Sequence, residues 1–158
     1  MQNPTKIDSQ LVVKLGTNVL TGGTDKLDLD VMVDVVDQVV RLHQAGTRII
    51  LVTSGAIAAG RQALGTVPGR KNSVGNMQVL AAVGQSRLMR AYDLFFAEHD
   101  VMTAQALLTR SDLRSRRAAN NAKRTLESLL DAGVVPIINE NDVVATEEIG
   151  ATFGDNDN

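Results

Sequence analysis

Short apolar runs and long amphipathic stretches alternate along this chain. Residues 11–15 (LVVKL) form a compact apolar run and predict a strand. The glycine-containing segment TNVLTGGTDK follows and predicts a loop. From Leu29 to Gln44 the apolar positions Met32, Val35, Val36, Val39, Val40 and Leu42 recur at helical spacing. Asp28 or Asp30 can cap the start of that helix, and Gly46 can stop it. Residues 48–54 (RIILVTS) predict a second strand, whose centre is an unbroken apolar run of the kind buried on both faces. GAIAAGRQALG returns to helical spacing, and the Pro, Gly and charges of TVPGRKNS mark a surface loop. Residues 74–96 predict a long helix with Leu80, Val83, Leu88, Tyr92 and Phe95 inside. VMTAQALLT is a third strand, residues 111–130 a basic amphipathic helix, and residues 134–139 (VVPIIN) a fourth strand. VVATEEIGATF reads as a short hairpin or excursion.

Strands separated by helices imply parallel pairing with right-handed crossovers. The expected fold class is α/β, a three-layer α/β/α sandwich with a mainly parallel sheet. In such sheets ligands bind beyond the carboxyl ends of the strands, so chemistry is sought there.

Composition narrows the options. The chain has 158 residues, enough for one domain with a real core. Its net charge of -2 gives no electrostatic case for nucleic acid or an anionic membrane. There is no cysteine, which removes disulfides, thiolate metal sites and a cysteine nucleophile. The two histidines, His43 and His99, fall in or near the ends of predicted helices and read as partly exposed helix residues. The opening MQNPTKIDSQ has no apolar core of the signal-peptide kind, and no apolar stretch is long enough to span a bilayer. The cytoplasm is the expected compartment.

Three strand ends carry distinctive loops. The first offers Lys14, Gly16, Thr17 and Asn18, the second Thr53, Ser54 and Gly55, and the fourth Asn139, Glu140, Asn141 and Asp142. Lys14 stands in a strand otherwise made of Leu and Val. It is either an edge lysine with a solvated head or a cation placed to meet an anion, since a buried ammonium is costly unless paired. The glycines after it would let backbone N–H groups approach phosphate oxygens, although no GxxxxGK[ST] P-loop is present. Ser54 and Gly55 turn a strand directly into a helix, whose free N–H groups attract carboxylate or phosphate. Ser54 is alternatively a helix cap without a ligand. GxSxG is absent and no histidine partner stands out, so a serine hydrolase is rejected. The amides and carboxylates of NEND suit an amino acid's carboxylate and amine, or else form an Asn/Asp-rich turn.

Taken in order, VVKLGTNVLTGG, VTSGAIAAGR, LAAVGQSRLM, LLTRSDL, PIINENDVVAT and GDNDN resemble the motifs of the glutamate 5-kinase family within the amino acid kinase superfamily. The resemblance implies ATP-dependent phosphorylation of the γ-carboxylate of L-glutamate, the first step of proline biosynthesis, with Mg²⁺ as a cofactor. It also implies proline as a feedback inhibitor and homo-oligomeric assembly. By match to those motifs, Lys14, Gly16 and Thr17 would bind the ATP phosphates. Ser54, Gly55, Asn139, Asp142 and Asn156 would hold glutamate, and Asp157 would organise the catalytic lysines. No protein residue is assigned to the metal. Residues 1–10 are then an N-terminal tail. Residues 11–158 are the N-terminal, amino-acid-binding part of the kinase domain, with the nucleotide-binding part absent. On that reading the isolated chain is expected to be inactive, and to expose an apolar sheet edge or cover it by self-association. The alternatives are a non-catalytic glutamate-binding or assembly module, or another kinase of the superfamily.

Overall fold

The structure is a computed structural model, and it describes residues 9–65 and 73–145. In chain order the elements are β1 (Gln10–Lys14), α1 (Thr17–Leu20), α2 (Leu29–Gln44), β2 (Arg48–Val52), α3 (Ala56–Leu64), α4 (Val74–Ala97), β3 (Thr103–Leu108), α5 (Arg110–Arg114), α6 (Arg116–Asp131) and β4 (Val135–Glu140). The four strands form one sheet in the order β1-β2-β4-β3, and every pairing is parallel. The α/β expectation therefore holds.

The helix starts follow capping chemistry. Asp28, not Asp30, caps α2: its carboxylate accepts from the N–H groups of Asp30 (3.1 Å) and Val31 (3.2 Å). Ser73 caps α4 through the N–H of Asn76. Other boundaries depart from the sequence pattern. The loop after β1 contains the single turn α1. The basic stretch after β3 is two helices rather than one. Thr109 and Asp112 form a reciprocal capping box at the start of α5. Ser115 then adopts an extended backbone, ends α5 and caps α6 by accepting from the Ala118 N–H at 3.3 Å. A serine hydroxyl competes with the helix for backbone partners, and here it wins. β3 begins at Thr103 because Val101 still belongs to the end of α4. Its N–H donates to Phe96 O at 3.1 Å across a left-handed Asp100.

Alternation along the strands assigns the two sheet faces. Thr53 and Asn139 reach α4, whereas Arg48 reaches Asp131 at the end of α6. Helices α2 and α4 thus share one face with α3, and α6 lies on the other, giving three layers. The right-handed crossover rule demands this: β1→β2→β3 advances in one direction across the sheet, and β3→β4 returns. The main core fills the first face. Met32, Val36, Val39 and Val40 of α2 meet Ile49, Leu51, Leu88, Tyr92, Phe96, Val135 and Ile137. Burying one such side chain contributes roughly 1.5–3 kcal/mol.

Helices α3 and α4 touch backbone to backbone. A Cβ on Gly84 would sit 1.7 Å from Ala56 O, and one on Gly60 would sit 2.0 Å from Leu80 O. Both positions need hydrogen as the side chain. That contact fixes where α3 starts, and α3 starts at the site.

Candidate functional site

β1, β2 and β4 are neighbours, so their carboxyl ends open onto one rim. The ladder runs on past the strands: Leu15 N–H donates to Val52 O and Thr53 N–H to Ile138 O, both at 2.8 Å. The loops after these three strands therefore start level with one another.

The first two loops meet directly. The hydroxyls of Thr17 and Ser54 share a hydrogen bond of 2.7 Å. Gly55, and not Ser54, is the residue that caps α3. Its φ of 91° lies in the left-handed region, and among the described residues no side chain caps the first N–H groups of the helix. A Cβ there would press Leu27 Cδ2 at 3.1 Å, so both space and backbone select glycine. The turn leaves the positive end of a nine-residue helix at the rim.

Lys14 is exposed at the end of the outer strand β1. Its Nζ would lie 3.4 Å from a Cβ on Gly16, so the ammonium folds over that glycine. Among the described residues it makes no ion pair.

The fourth strand's loop is held from beneath. Asn139 is 7% exposed. Its Nδ2 donates to Gln85 Oε1 of α4 at 2.8 Å, and its Oδ1 accepts the Glu140 N–H at 2.9 Å. Asn141 N–H donates to Leu108 O at 3.0 Å, and Asn141 O receives the N–H groups of Val144 and Ala145. Gln78 Nε2 donates to Val143 O at 2.9 Å. Glu140, Asn141, Asp142 and Val143 line a narrow cleft whose opposite wall includes Ala56 and Gln85. Asp142 thereby faces the same cleft as the start of α3.

A further bond supports the Ser54 turn from the core. Thr53 Oγ1 and Tyr92 Oη are 2.8 Å apart, both buried. Burial holds the Tyr92 phenol up at about 12, outweighing the opposing pull of the Thr53 hydroxyl.

The structure thus brings together Lys14, Gly16, Thr17, Ser54, Gly55, Asn139 and Asp142 along one rim. Asn156 and Asp157 lie outside the described residues. The histidines stand apart. His43 is in the last turn of α2, and His99 pairs with Asp37 at 3.0 Å just before β3, so both lie toward the amino ends of the strands. Among the described residues no cluster of three or more His, Cys, Asp or Glu is placed to hold a metal ion, and no helix is long and apolar enough to cross a membrane. Gln85, Gln78 and Tyr92 support the site, yet sequence reasoning gave them no role. Gln85 sits inside LAAVGQSRLM, one of the segments that carry the resemblance.

Comparison with known proteins agrees with this geometry. The pattern of the "Amino acid kinase family" matches residues 9–158. The chain is 52% identical over 153 residues to a glutamate 5-kinase of Pasteurella multocida (strain Pm70), covering 97% of this chain and 41% of that protein. It is 53% identical over 152 residues to a glutamate 5-kinase of Dehalococcoides mccartyi (strain ATCC BAA-2266 / KCTC 15142 / 195), covering 94% and 40%. A glutamate 5-kinase of Escherichia coli O139:H28 (strain E24377A / ETEC) is 53% identical over 152 residues, covering 96% and 41%. The chain therefore spans about two fifths of the length of these curated relatives. With a parallel sheet, loops gathered at its carboxyl rim and a match over nearly its whole length, the chain belongs to the amino acid kinase family.

Proposed function

We propose that this chain is the amino-acid-binding part of a glutamate 5-kinase, which phosphorylates the γ-carboxylate of L-glutamate at the expense of ATP to give γ-glutamyl phosphate. The observation that carries the reading is the meeting of the loops: Thr17 bonds Ser54, and Asp142 lines one cleft with the start of α3. Identity of about half to proteins named glutamate 5-kinase supplies the substrate.

The chemistry suits these side chains. A glutamate carboxylate, with a pKa of about 4.3, is already ionised at neutral pH, so it needs no general base. The remoteness of both histidines is then no obstacle. The task is to hold one anion against another, which calls for positioning and positive charge. In this reading Asp142 receives the substrate ammonium, while Ser54 and the glycine-capped start of α3 receive its carboxylate. Asn156 and Asp157 belong to the same proposal.

ATP fits the first loop. Lys14, Gly16 and Thr17 offer a cation, a backbone open to close approach and a hydroxyl, which is the donor set that phosphate oxygens require. Bound there, ATP supplies the phosphoryl group. Mg²⁺ accompanies it, with no described residue assigned to the metal. At an effective dielectric of ~20, a cation ~4 Å from an oxyanion interacts with about 4 kcal/mol. Acting only in the transition state, that is worth about three decades in rate. Lys14 is exposed, so water screens it toward about 1 kcal/mol until bound substrates displace that water. Proline as an inhibitor, self-association and a cytoplasmic setting are further parts of the proposal, resting on the family resemblance.

Calorimetric titration tests the reading on the 158-residue chain. We expect L-glutamate to bind without turnover in a coupled ATPase assay, and Asp142→Ala to abolish the heat signal. Equal binding of unrelated amino acids, or unchanged binding by Asp142→Ala, would overturn it.

A further inference from the structure

One turn of α4 touches both walls of the cleft. Gly84 lies against the backbone of Ala56 and Gly60, where a Cβ would come within 1.7 Å of Ala56 O. Its neighbour Gln85 points to the fourth strand's loop and accepts from Asn139 Nδ2 at 2.8 Å. The spacing between the Ser54 turn and the Asp142 loop is therefore set by adjacent residues on one rigid helix.

Gln85 is also the middle of a chain of amides. Its Nε2 donates to Gln105 Oε1 on the outer strand β3 at 3.2 Å. Asn139 then uses its remaining oxygen to accept the Glu140 N–H at 2.9 Å. The run Gln105, Gln85, Asn139, Glu140 crosses from the sheet edge to the acidic loop. One Nδ2 hydrogen goes to Gln85 and Oδ1 takes the Glu140 N–H, which fixes the orientation of the Asn139 amide. A buried amide that loses its partner is costly, so the loop follows Gln85.

We propose that Gln85 is a positioning residue, which fixes the Glu140–Asp142 loop against the start of α3 by way of Asn139. Asn139 is thereby held in one orientation at the base of the site, with one Nδ2 hydrogen left over. The glutamate-affinity part of the test rests on the function proposed above; the spectroscopic part does not.

Two-dimensional amide NMR of the 158-residue chain tests this. In the wild type, the Asn139 side-chain protons should exchange with solvent much more slowly than those of the exposed Asn121. Equal exchange would overturn the assignment before any variant is made. Gln85→Leu keeps the bulk and removes both bonds. It should displace the backbone amide signals of residues 140–143 and weaken glutamate binding about tenfold, the equivalent of losing one net hydrogen bond of ~1.4 kcal/mol. Gln85→Glu retains an acceptor for Asn139 and should restore both readouts to within about threefold of wild type. Wild-type signals and affinity in Gln85→Leu, or equal damage by the two variants, would sink the proposal. Should the wild type bind no glutamate, the functional reading falls, while the amide signals still decide the role of Gln85.

Discussion

Thr53 is a buried polar side chain whose hydroxyl meets the Tyr92 phenol at 2.8 Å, directly beneath the Ser54 turn. In Tyr92→Phe the threonine keeps only its longer contact to Ser54 O at 3.3 Å. Thermal denaturation at neutral pH should show a loss of about 1–2 kcal/mol. The same phenol gives a pH signature. Its value is 10.0 unfolded and about 12 folded. Below pH 10 it is neutral in both states and contributes no slope. Between 10 and 12 the unfolded chain releases the proton and the folded one keeps it, so stability falls as pH rises. The full drop corresponds to roughly 2–3 kcal/mol, and Tyr92→Phe should flatten this part of the curve. An unchanged alkaline slope in the variant would contradict the assignment. At this scale Lys14, Ser54 and Asp142 were legible because polar residues at the ends of apolar strands are conspicuous. Tyr92 and Gln85 were not, because one looks like core and the other like helix surface until their partners 39 and 54 residues away are known.

At the scale of elements, the contact of α3 with α4 controls where the site begins. Gly84→Ala would drive a methyl group into Ala56 O and must part the helices. We expect a loss of at least ~2 kcal/mol in chemical denaturation. Gly75, in the first turn of the same helix, has nothing within 4 Å of its position. Gly75→Ala should stabilise by about 0.5–1 kcal/mol by restricting the unfolded chain. Equal effects of the two substitutions would contradict the assignment of the Gly84 loss to crowding. The capping box at α5 has its own pH dependence. The Thr109 hydroxyl and N–H hold the Asp112 carboxyl below its usual range of about 3.8. Its contribution is present above that value and is lost as acid protonates the folded carboxylate. The approximate helix and strand spans were readable from periodicity, and the start of α2 was narrowed to Asp28 or Asp30. The division of the basic stretch at Ser115 was not readable, since α5 is little more than one turn long and a local hydrogen bond at Ser115 starts the next helix.

At the scale of the molecule, the two sheet faces are unequally covered. α2, α3 and α4 seal one face, whereas on the other α6 reaches the start of β2 through Arg48 and Asp131 (2.8 Å). Val12, on the outer strand and paired in register with Ile50, is 56% exposed. The expectation of self-association is tested here: sedimentation should show mass rising with concentration, and Val12→Lys should suppress the rise. A constant monomer mass in the parent chain would exclude association by this face. Parallel α/β architecture was determined by the sequence itself, because strands separated by amphipathic helices admit little else. So was the placing of polar loops at strand ends, since an apolar run terminates where the chain leaves the core. Strand order was decided only in three dimensions. Nothing in the sequence states that β4 inserts between β2 and β3, and without that insertion the Asp142 loop would not face the start of α3. Periodicity reports how each segment meets its own surroundings. Which segments become neighbours depends on packing between distant residues, and the backbone contact at Gly84 and the amide chain through Gln85 are of that kind.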